Sequence, residues 1–176
     1  MENPTTETLS TRSIGVRYGL VLGVVSIVYF LILTFSGLDP NAGWNWLGLV
    51  FSIVAIFLAH KYFKENGDGF MTYGQGVGIG FWLTLVSSVI SVVFTYIYVK
   101  FVDTTYMDMI KEKQIESMQE KGMTDEQIDQ AMEFAAAFST PEMILIFGLL
   151  GGLFIGMIVV FIVTAITKKQ NPDMTI

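Results

Sequence analysis

The 176-residue chain has no cysteine, which removes disulfides, thiolate zinc sites and cysteine nucleophiles together. It has one histidine, His60, so an all-protein zinc or copper site would need carboxylates for most of its ligation. Charge is scarce as well: 15% of residues are charged against 52% hydrophobic, and the mean hydropathy is +0.57. Such values belong to a chain that resides in lipid and not to a soluble domain. The charges lie between the apolar runs or at the chain ends, so the net charge of −6 describes loops. No basic patch interleaved with aromatics occurs, which sets nucleic-acid binding aside.

Four long apolar runs remain, and they predict an all-α integral membrane four-helix bundle. The expected organisation is a polar tail over 1–13 and three spans within 14–100, at about 14–35, 44–60 and 73–99. An acidic helical loop over 101–142, a fourth span over 143–167 and a tail over 168–176 complete it. The first run follows the polar start MENPTTETLSTRS and exceeds the ~7–15 apolar residues of a secretory signal. It is expected to stay as an uncleaved membrane helix. Gly37, Pro40 and Gly43 mark a turn-rich link after it, and ENGDG (65–69) marks a tight turn before the third span. In the extramembrane loop, KEKQIESMQE (111–120) alternates charge as a solvated helix does. Gly122 ends that helix. Thr124 and Gln127 make a capping-box pattern opening a second one, whose apolar stripe is Ile128, Ala131, Met132, Ala135 and Phe138.

Small residues recur one or two helical turns apart: Gly15, Gly19 and Gly23, then Gly76, Gly80 and Ser88, then Gly148, Gly152 and Gly156. This spacing predicts close helix–helix packing. The alternating glycines of YGQGVGIG (73–80) lack the spacing and preceding strand of a dinucleotide fingerprint, and they open an apolar span, unlike a potassium filter.

Arg12, Arg17, Lys61, Lys64, Lys168 and Lys169 fall on one predicted side of the membrane. The other side carries Lys100, Lys111, Lys113 and Lys121 diluted by ten acids. The positive-inside rule then places both termini in the cytoplasm and the loop outside. Trp44 and Trp46 read as interface anchors, and His60 as a dipole partner where the second span ends. Arg17, the one ionisable group inside a span, reads as a snorkelling anchor, with Gln75 as a candidate partner. The loop acids show no calcium-loop spacing, and the ten methionines are scattered. No catalytic, cofactor or metal residues are therefore assigned.

Thr72-Tyr73-Gly74-Gln75 at the start of the third span, the four-span layout and Gly122-Met-Thr-Asp-Glu-Gln127 give the chain a resemblance. It resembles the bacterial, Bacteroidetes-type membrane proteins grouped as domain of unknown function 4199. The resemblance implies a small inner-membrane protein and carries no site residues with it. The expected role is a non-enzymatic one, exercised through helix contacts as an accessory or assembly protein or a homo-oligomer in the bilayer, with association sensitive to widening Gly152. The alternative is a small oligomeric channel or holin-like protein using the serine–threonine stripe of the third span.

Overall fold

The computed structural model describes residues 9–36, 43–44, 46–136, 138 and 140–171. The start of the polar tail (1–8), the turn residues Gly37 and Pro40, and the last five residues lie outside the described residues. The helices are α1 (Thr11–Ser36), α2 (Trp46–Asn66), α3 (Tyr73–Ile97), α4 (Tyr106–Glu120), α5 (Asp125–Ala136) and α6 (Pro141–Thr167). A π-helical turn, Tyr98–Val102, continues α3. Four segments are long and apolar enough to cross a membrane: Thr11–Ser36, Trp46–Asn66, Tyr73–Val102 and Glu142–Thr167. The chain divides into two compact units, Met1–Ser91 with Gly151–Ile176, and Val92–Leu150.

The first unit is an up-down-up-down bundle. Tyr18 meets Tyr62 with ring centroids 6.1 Å apart and Tyr29 meets Phe51 at 5.3 Å, so α1 and α2 are antiparallel. Successive glycines of α1 advance along α3 in the same direction, making that pair parallel. Gly76 and Gly80 face Thr164 and Val160, while Gly152 and Gly156 face Ser88 and Thr84, so α3 and α6 are antiparallel. Ile14, Leu22, Ile56, Ala59, Phe63, Met71, Ile79, Leu83, Val160 and Val163 form the core. Between lipid-surrounded helices such a core gains little from dehydration, so dispersion at close approach must hold it.

α2 continues six residues beyond the expected end at His60, because a change in polarity does not break a helix. Lys61 pairs with Glu65 at 3.7 Å, one turn on, and Asn66 Nδ2 donates to Tyr62 O at 2.9 Å. Thr72 and Gln75 form a reciprocal cap at the start of α3. Thr72 N–H donates to Gln75 Oε1 at 2.8 Å, and Gln75 N–H to Thr72 Oγ1 at 3.2 Å. Gln75 is therefore engaged in its own helix start and not with Arg17.

In the second unit the π turn closes through Asp103 N–H to Tyr98 O at 2.9 Å. Lys100 Nζ lies 2.8 Å from Glu142 Oε1 and donates to Tyr96 OH at 2.6 Å. α4 buries no residue, and α5 buries Ile128 alone. Gly122, at φ +75°, ends α4 in the left-handed conformation. Its N–H reaches Gln119 O, and that of Met123 reaches Met118 O, satisfying the last carbonyls. The cap at Thr124 and Gln127 carries both reciprocal bonds, at 3.0 and 3.4 Å. Burial, then Tyr98 and Asp103, raises the Tyr106 phenol above its ordinary range.

Candidate functional site

The polar groups of the first unit converge where α2 ends, α3 begins and α6 ends. Ile56, Ala59, His60 and Phe63 recur at i, i+3, i+4 and i+7, which turns His60 onto the core face of α2. Its imidazole is fully buried. Nε2 lies 3.0 Å from Gly76 O on α3, and Nδ1 lies 2.7 Å from Thr167 Oγ1 on α6. Burial of such a group in a membrane bundle requires both nitrogens to be satisfied, and both are. His60 is thus an internal tie among three helices, six residues before the end of α2.

Further contacts hold the same end of α6. Thr167 Oγ1 donates to Val163 O at 2.8 Å, and Lys64 Nζ donates to Thr167 O at 2.9 Å. The latter caps the negative end of the helix dipole. Just beyond, Met71 and Lys169 exchange two backbone bonds, at 2.8 and 2.9 Å. Thr164 Oγ1, beside Gly76, is buried without a partner.

Four cations, Arg12, Arg17, Lys168 and Lys169, lie over aromatic rings in this unit. The Arg12 guanidinium lies 4.6 Å from the centroid of Trp82, and that of Arg17 lies 5.4 Å from Tyr62. Lys168 lies 5.9 Å from the Tyr73 ring and Lys169 5.3 Å from Phe70. Three of these rings, Trp82, Tyr62 and Tyr73, are of the amphipathic kind enriched at a water–lipid boundary. Trp44 and Trp46, at the opposite end of α2, are exposed, and the Tyr29 hydroxyl bonds to Trp44 O.

The glycines mark how closely the helices approach. A Cβ on Gly15 would fall 2.5 Å from Ile79 O and 2.6 Å from Trp82 Cβ; one on Gly19 would fall 2.7 Å from Leu83 O. At Gly23 it would meet Ile90 at 2.9 Å, and at Gly76 it would meet Thr164 Cγ2 at 2.6 Å. Gly80 and Gly156 leave no room beside Val160 and Thr84. Gly152 is looser: its Cβ would lie 3.1 Å from the Ser88 hydroxyl. In the second unit, Gly148 faces Val92 at 3.2 Å on the same measure. Gly151 has nothing within 4 Å.

Thr84 and Ser88 of the serine–threonine stripe thus pack on α6, and Ser87 turns its hydroxyl to Thr84 O at 3.1 Å. In the loop, Asp103 accepts from the N–H and hydroxyl of Thr105, and Asp108 lies 3.7 Å from Lys111. Among the described residues no three His, Asp or Glu side chains are grouped to hold a metal.

The family described as "Protein of unknown function (DUF4199)" matches residues 17–169 of this chain. The chain belongs to that family. The match begins within α1, at residue 17, and takes in α2, α3, the α4–α5 hairpin and α6. No curated protein and no solved structure shows a significant match.

Proposed function

We propose that this DUF4199 protein acts without catalysis, through contacts within a bacterial cytoplasmic membrane, as a subunit of a homo-oligomer or of a complex with another membrane protein. The observation that carries the reading is the outer face of α6. Gly151, Phe154, Ile155, Ile158, Phe161, Ile162 and Ile166 are exposed at helical spacing, and Gly151 leaves a notch among large side chains. The small residues turned toward α3 are occupied within the chain, whereas this notch is open to a neighbouring helix. The basic, aromatic-lined end supports a topology with both termini in the cytoplasm.

Purifying a tagged chain from its native membrane in mild detergent tests the reading. A second copy or a stoichiometric foreign subunit is expected. A lone monomer from membranes in which the chain is functional contradicts it.

A further inference from the structure

The tie among α2, α3 and α6 holds one fewer hydrogen than its acceptors can use. Gly76 O can only accept, so Nε2 of His60 carries a hydrogen in either charge state. The Thr167 hydroxyl has one hydrogen and two acceptors in reach, Val163 O at 2.8 Å and His60 Nδ1 at 2.7 Å. If that hydrogen goes to Nδ1, the imidazole is neutral. If it goes to Val163 O, the oxygen is free to accept from Nδ1–H, and the imidazole is a cation. Addition of one proton at Nδ1 with rotation of one hydroxyl converts the first arrangement into the second without moving a heavy atom.

We propose that His60 is a proton-binding site within the folded bundle, with the Thr167 hydroxyl as its adapter. The ligand is a proton from the aqueous side at the basic end. It binds to the Nδ1 lone pair, the imidazole becomes a cation, and the Thr167 O–H turns from Nδ1 to Val163 O. No covalent bond breaks. The charged group facing the ring is the Lys64 ammonium on α2, itself bonded to Thr167 O. α3 presents Gly76, and α6 presents Thr167; the next residue of α6, Lys168, sits over Tyr73. No carboxylate forms a hydrogen bond or ion pair with His60, Lys64 or Thr167 among the described residues. The proton therefore adds positive charge at a point where α6 is fastened, which gives the clasp two charge states in one geometry.

His60 is the only histidine, so ¹⁵N-histidine labelling reports on this ring alone. The experiment is an NMR pH titration of the full chain in lipid nanodiscs, with circular dichroism at each pH. The expected neutral form carries its hydrogen on Nε2, and acidification protonates Nδ1 while helicity is retained. Thr167→Val is expected to move the Nδ1 midpoint by about 0.5–1 pH unit, the size of one hydrogen bond made differently by the two charge states. Thr164→Val, which removes the unpartnered neighbour, is expected to leave it in place. A neutral ring with its hydrogen on Nδ1, or an Nδ1 that stays bare until the helices unfold, overturns the proposal. A midpoint indifferent to Thr167→Val removes the hydroxyl from it. If that variant does not fold, the wild-type tautomer and titration still decide.

Discussion

At Gly15 the backbone of α3 comes so near α1 that a methyl group would overlap Ile79 O and Trp82 Cβ, neither of which is the end of a flexible side chain. Gly15→Ala must therefore push the helices apart, and a loss of about 1–3 kcal/mol is expected in an SDS-unfolding titration. Gly151→Ala meets nothing and should change stability by less than about 0.5 kcal/mol in the same assay. Lys64→Met removes the donor that holds Thr167 O. The expected consequence is faster hydrogen exchange at the Lys169 amide, which bonds to Met71 O at the end of the same clasp. Unchanged exchange there would mean that the backbone bridge holds α6 unaided. That small residues one turn apart share a helix face was legible from their spacing. That Gly151, one residue before Gly152, points away from α3 was not, because neither distance nor neighbour is written in a glycine.

Among elements, the spans were legible because apolar runs of membrane length have few other uses. Their ends were less so. The charge at Lys61 hides the continuation of α2, although Phe63 extends the core-facing period that already includes Ile56, Ala59 and His60. That period was the signal for reading His60 as buried. The pairing of Met71 with Lys169 joins two short segments far apart in the chain, with no alternating pattern to announce it. The α4–α5 pair has the opposite character: its caps are explicit in the sequence, yet it buries little. Ile128→Ser should strip protection from α5 amides while leaving the core-facing half of α3 as protected as before. Amide exchange resolved by segment checks this. Equal loss in both would contradict the division of the chain into two units.

For the whole molecule, up-down-up-down topology brings Arg12, Arg17, Lys61, Lys64, Lys168 and Lys169 to one end, which the family membership alone does not explain. With that end in the cytoplasm, a cysteine at position 117 in α4 should react with a membrane-impermeant maleimide in intact spheroplasts. Failure to react there, with labelling after lysis, would reverse the topology. A partner was not legible, since a sequence of apolar residues does not distinguish a face meant for lipid from one meant for a helix. The most direct measurement compares Gly151→Ile with Gly156→Ile, reading subunit composition after native purification alongside thermal stability. The contact reading predicts that Gly151→Ile loses its neighbour at unchanged stability, and that Gly156→Ile, wedged against Thr84, loses stability. A Gly151→Ile protein that keeps its full assembly would contradict it.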